Sequence, residues 1–121
     1  MRITFISDTH TKHNLITEDL PGGDLIIHSG DLMNSGYSYD DITNFCEWFS
    51  GLDNYKHKVF IAGNHDRLFQ NDPISSTRLV RDFPNIAYLE DSLCGIGDVS
   101  IYGTPWQPTF HNWAFNLPRN G

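Results

Sequence analysis

Three short stretches carry side chains able to hold a metal ion: Asp8-Thr9-His10, Gly30-Asp31 and Gly63-Asn64-His65-Asp66. Asp8 and His10 lie two apart. On extended backbone they project to the same side, where a hard carboxylate and an imidazole can grip one ion. Asp31 can bridge two ions through its two oxygens, and Asn64 offers a neutral carbonyl oxygen to the second. Mixed carboxylate, imidazole and amide ligation suits Mn, Fe, Zn or Co better than Ca or Mg alone. Two such ions about 3.5–4 Å apart can activate a water and clamp the oxygens of an in-line displacement at phosphorus. His65 is then placed to protonate the leaving alkoxide, and Asp66 to fix its tautomer and orientation. Singly, each piece has a plainer reading: Asp8 as a turn or cap residue, Gly30-Asp31 as a turn, His65-Asp66 as a surface ion pair. Together, in this order, they point to a dinuclear metal centre.

The elements that must position them are legible in the flanking sequence. Each stretch follows an apolar run: Ile3-Thr4-Phe5-Ile6, Leu25-Ile26-Ile27-His28 and Lys58-Val59-Phe60-Ile61-Ala62. These runs predict buried strands over 2–7, 24–28 and 57–62. Ligands at the carboxyl ends of neighbouring strands are the rule in open α/β sheets. Between strands two and three, Ser38 reads as an N-cap, with Asp40 and Asp41 in the first turn. Ile42, Phe45, Phe49 and Leu52 then recur at helical spacing, widened by Trp48, until Gly51. Strand, helix, strand with short connections implies a parallel pair. Thr9 to Leu20 reads as loop with one helical turn. A short helix is expected from Arg67, ending before Pro73, and another over 77–83. A strand is expected over 86–89 and a hairpin over 92–96 and 99–102. From Gly103 the chain is rich in Pro and aromatics. Trp106, Phe110 and His111 are candidate substrate-binding residues, the aromatics by stacking on a base; packing in a core is the other reading of the aromatics. The whole of 1–121 reads as one domain.

Composition narrows the function classes. The formal charge of −7 shows no basic face for duplex nucleic acid. Two divalent cations would bring −7 to −3 and make the pocket itself positive. No apolar run approaches the roughly 20 residues of a membrane span. Met1-Arg2-Ile3 enters a strand at once, which leaves no room for a signal peptide and makes a cytoplasmic location the expectation. Cys46 and Cys94 lack metal spacing and read as free thiols.

These motifs resemble those of the calcineurin-like metallophosphoesterases. The resemblance is carried by Ile6-Ser7-Asp8-Thr9-His10, His28-Ser29-Gly30-Asp31 and Phe60-Ile61-Ala62-Gly63-Asn64-His65-Asp66. Gly103-Thr104-Pro105-Trp106-Gln107-Pro108 and Trp113-Ala114-Phe115-Asn116 are similar to the metallophosphoesterase-domain-containing branch. The resemblance implies an α/β fold: the N-terminal half of an αββα sandwich, with a mostly parallel sheet and flanking helices. It implies Asp8 and His10 on the first metal, Asp31 bridging, Asn64 on the second, and His65 as the catalytic acid. It implies a phosphodiesterase acting on small nucleotides, cyclic ones included.

The family's later histidines, one after a further strand and others in a Gly-His-x-His-like segment, have no counterpart here. His13 and His57 read as loop or strand-edge residues, His28 as a core residue or one backing the ligands, and His111 as a tail residue. The missing ligands are expected from a longer polypeptide, from a complementing C-terminal segment, or from a second copy in a homodimer. The competing reading is a non-catalytic half-domain kept for interaction or regulation. A phosphoprotein phosphatase fits less well, because Leu32-Met33-Asn34 follows Asp31 where those relatives carry an Asp-Arg-Gly-type segment.

Overall fold

The computed structural model describes residues 1–34, 38–63 and 66–104, and the backbone of two short strands beyond them. Four strands, β1 (Ile3–Ile6), β2 (Gly23–His28), β3 (Tyr55–Phe60) and β4 (Ile86–Tyr88), lie side by side in chain order. All three pairings are parallel, with Phe5 opposite Ile27, Ile27 opposite Val59 and Val59 opposite Ala87. Alternation along the strands therefore sorts side chains onto two faces.

One face carries Ile6, Ile26, His28 and Phe60. Helices α1 (Tyr39–Ser50), α2 (Arg67–Asn71) and α3 (Pro73–Arg81) supply Ile42, Phe45, Phe49, Leu68, Phe69 and Val80 to the same core. Phe45 is its hub. Its ring stacks on Phe49 at 5.0 Å and meets Phe60 and His28 edge-on at 5.3 and 4.9 Å. The other face, with Leu25 and Val59, is met by the antiparallel hairpin of β5 (Ser92–Ile96) and β6 (Val99–Gly103). Ile96, Cys94 and Ile101 of the hairpin pack against it. Two further strands, β7 (Gln107–Pro108) and β8 (Asn116–Leu117), pair in parallel. The four-stranded parallel sheet with flanking helices is the fold expected for the N-terminal part of a metallophosphoesterase. No helix among the described residues is long and apolar enough to cross a membrane.

Three local expectations need correction. The segment after β1 forms a seven-residue 3-10 helix, His13–Asp19, longer than one turn. Trp48 donates from Nε1 to Thr17 Oγ1 at 2.8 Å and so pins this helix to α1. His13, expected at a loop or strand edge, is buried with its ring 5.0 Å from Trp48. Helix α3 begins at Pro73, four residues before the expected start. Proline suits the first helical position, where no N–H is required, and Asp72 caps the helix by accepting from Ser75 N–H at 3.3 Å.

Truncating Phe45 to Ala should remove the ring that links α1 to the sheet, at a cost of about 3–5 kcal/mol. Urea unfolding of Phe45→Ala checks this; a loss below about 1 kcal/mol would contradict the packing described.

Candidate metal centre

After β1 the chain coils rather than running extended. Asp8 (φ 55°), His10 (φ 43°) and Thr11 (φ 67°) all occupy the left-handed region, which L residues rarely adopt. The extended geometry expected for Asp8 and His10 is thus replaced by a tight turn, and it is the turn that brings His10 Nε2 to 3.7 Å from Asp8 Oδ1. After β2, Gly30 (φ 112°) and Asp31 (φ 62°) make a second such turn. Left-handed residues of this kind cost about 1–3 kcal/mol each and persist only where surrounding bonds over-determine them. Here the bonds run between the turns. Asp8 N–H donates to Gly30 C=O at 2.9 Å, His10 N–H to Asp31 C=O at 3.0 Å and Thr11 N–H to Leu32 C=O at 2.9 Å.

The result is a cluster in which Asp8, His10 and Asp31 each offer a donor atom within 4.8 Å of the others. Ligand bonds of about 2.0–2.2 Å let two ligands of one ion stand up to about 4.4 Å apart. Small side-chain rotations would therefore seat a cation. The imidazole is already oriented for this. His10 Nδ1 lies 3.0 Å from Met33 C=O. A carbonyl only accepts, so Nδ1 carries the proton and Nε2 presents its lone pair on the side of Asp8. Asp31 is buried, whereas the Asp8 side chain is 62% exposed, so the cluster has a protein floor and an open mouth. Burial opposes ionisation of Asp8, but hydrogen bonding to Ser7 and Asp31 and the nearby His10 hold its pKa below the usual carboxylate range. The mouth opens on a cleft of about 480 Å³ lined by Asp8, Thr9, His10, Lys12 and Asn34. Lys12 and Asn34 were not singled out by sequence; their only signal is proximity in the chain to His10 and Asp31.

The third strand end closes against the second. A β-carbon on Gly63 would run into Asp31 Oδ1, and one on Gly30 would stand 2.7 Å from Gly63 Cα. Only glycines allow this contact. Asp66 then locks it. Its fully buried carboxylate accepts from Gly63 N–H at 2.7 Å, Asp31 N–H at 2.8 Å, Leu32 N–H at 3.3 Å and Met33 N–H at 2.8 Å. Burial pushes its pKa up, to about 7, against the pull of those amides. Asp66 was expected to orient His65; what the described residues show is a carboxylate engaged with backbone amides of two turns. Asn64, His65, Trp106, Phe110 and His111 lie outside the described residues.

His28, on the helix-covered face of β2, ties the first two turns together. Its Nε2 lies 2.9 Å from Thr9 Oγ1, and its Nδ1 accepts from Gly30 N–H at 3.2 Å. Burial pushes its pKa down to about 3, from an ordinary 6.5.

Two outcomes are expected. Asp66→Asn presents one NH2 group to donors that need acceptors, and should destabilise by about 1–3 kcal/mol; a denaturation midpoint equal to wild type would contradict the role given to Asp66. For His28 the folded pKa is depressed, so below about pH 6.5 the unfolded chain gains a proton that the native state refuses. The stability advantage of wild type over His28→Leu should therefore narrow as pH falls, by about 1.4 kcal/mol per pH unit. A gap independent of pH would contradict the neutral buried ring.

Comparison with known proteins gives the family. The profile of the family described as "Calcineurin-like phosphoesterase" matches residues 1–120. The chain is 34% identical over 138 aligned positions to "Metallophosphoesterase domain-containing protein 1" of Homo sapiens and of Mus musculus, a match covering 98% of this chain and 41% of each relative. It is 33% identical to part of "Probable rhamnogalacturonate lyase C" of Emericella nidulans, across 98% of this chain but only 12% of that protein. The chain thus spans less than half the length of the curated relatives it matches. The match to the family profile over residues 1–120 of its 121, with the strand-end cluster, shows that the chain belongs to the calcineurin-like phosphoesterase family.

Proposed function

We propose that this chain forms the metal-holding part of a phosphodiesterase site that hydrolyses small nucleotides, cyclic ones included, with two divalent cations. The observation that carries the reading is the convergence of Asp8, His10 and Asp31 within 4.8 Å on an open cleft. Asp8, His10 and one oxygen of Asp31 would hold the first ion, and the other Asp31 oxygen with Asn64 the second. The mixed hard and borderline donors suit Mn, Fe, Zn or Co, and Mn is the ion chosen for the test. When bound, the cations supply positive charge opposite the phosphate oxygens and acidify a water for attack on phosphorus.

The chain's own residues do the rest. Buried Asp31 sets the floor, Nε2 of His10 is aimed by Met33 C=O, and Lys12 on the cleft wall adds a cation for the phosphate to approach. His65 is assigned to protonate the leaving oxygen, with Asp66 holding the loop that carries it. Trp106, Phe110 and His111 are assigned to the substrate. The remaining ligands would come from a C-terminal segment or a second copy of the chain. The free thiols Cys46 and Cys94 support a reducing compartment, the cytoplasm.

Protein purified without chelator should hydrolyse bis(para-nitrophenyl) phosphate and a cyclic nucleotide only when Mn(II) is present, and Asp31→Asn should lose at least about 100-fold in rate. Turnover that appears only with a relative's C-terminal segment added in trans would assign the missing ligands to that segment. Turnover that is indifferent to metal, or to Asp31→Asn, would contradict the reading.

A further inference from the structure

A histidine is a poor choice for a central strand packed under aromatic rings. Burying its polar nitrogens costs free energy unless both find partners. His28 is fully buried with Phe45 edge-on at 4.9 Å, so packing alone would favour an apolar residue at this place. Its two nitrogens reach in two directions. Nδ1 accepts from Gly30 N–H at 3.2 Å, which obliges Nε2 to carry the proton and donate to Thr9 Oγ1 at 2.9 Å. Thr9 sits between Asp8 and His10; Gly30 immediately precedes Asp31. One ring thus hydrogen-bonds the residue beside every donor of the cluster.

We propose that His28 is a positioning residue for the metal centre: through Thr9 and Gly30 it holds the Asp8–His10 turn and the Asp31 turn at the separation one cation requires. The proposal rests on the metal-site reading above. The left-handed residues on both sides of the ring give it something to hold. Asp8, His10 and Thr11 in one turn, with Gly30 and Asp31 in the other, are strained conformations already joined by backbone bonds, and the ring adds a side-chain link that sets their separation. Burial keeps the ring neutral, so its donor and acceptor stay assigned across the working pH range.

The test separates ligand placement from mere support of the fold. Mn(II) affinity is measured calorimetrically on wild type, Thr9→Val, Thr9→Ser, His28→Leu and His28→Gln, each first shown to be folded by circular dichroism and each with its metal-free stability recorded. Thr9→Val deletes the acceptor of the His28 proton and should weaken Mn(II) binding by roughly tenfold or more. Thr9→Ser keeps the hydroxyl and should bind within about twofold of wild type. His28→Leu should lose at least as much as Thr9→Val, and His28→Gln, with an amide able to donate to Thr9, should recover part of the loss. A structural role alone would lower stability and leave the affinity of the folded protein unchanged, so folded Thr9→Val binding Mn(II) like wild type overturns the proposal. Thr9→Val keeps the question answerable if His28→Leu fails to fold. Wild type that takes up no Mn(II) at all overturns the metal-site reading, and this proposal with it, a result distinct from equal binding by wild type and variants.

Discussion

One carboxylate organises the end of the sheet where the chemistry is placed. Asp66 has no exposed surface, and each of the four bonds described for it is accepted from a backbone N–H of a turn that follows β2 or β3. Turn amides buried without acceptors would cost about as much as lost hydrogen bonds. A carboxylate answers several at once because it is acceptor-only, with lone pairs to spare. The contact it enforces is close enough that Gly30 and Gly63 must lack side chains. Burial raises its pKa while the amides resist, so the same group that orders the turns is held between two opposing forces.

From that constraint the route to chemistry is short. Parallel strands in chain order deliver successive loops to the same edge of the sheet. Backbone bonds then stitch the first loop to the second, from Asp8 to Gly30, His10 to Asp31 and Thr11 to Leu32. His28 repeats the stitch from inside the core. Asp66 adds the third loop. The strain of Asp8, His10, Thr11 and Asp31 is therefore local, shared among many bonds, and confined to the segments that carry the donor atoms. Helices α1 to α3 cover the sheet face that carries Ile26 and Phe60, and the open side of the cluster, at Asp8, stays accessible to solvent.

The sequence made the strands and α1 legible because their signals are local. Apolar runs gave β1, β2 and β3 to within two residues at each end, and the stripe Ile42, Phe45, Phe49 gave the buried face of α1. Pro73 misled because proline stops one helix and starts another by the same missing N–H. His13 misled because its burial comes from Trp48, 35 positions later in the numbering. The residues of the cluster could be named from their motifs, but not their backbone. The left-handed turns are imposed by bonds to Gly30, Asp31 and Leu32, which no reading of Asp8-Thr9-His10 contains. The work of Asp66 was hidden for the same reason: three of its partners lie 33 to 35 residues away.

The central claim is that the strand-end turns already hold Asp8, His10 and Asp31 as ligands of a cation. Anomalous diffraction at the manganese edge from Mn(II)-soaked crystals tests it most directly. The account predicts a peak about 2.0–2.3 Å from a carboxylate oxygen of Asp8, Nε2 of His10 and a carboxylate oxygen of Asp31. Manganese bound elsewhere on the protein, with no density between these three side chains, would contradict it.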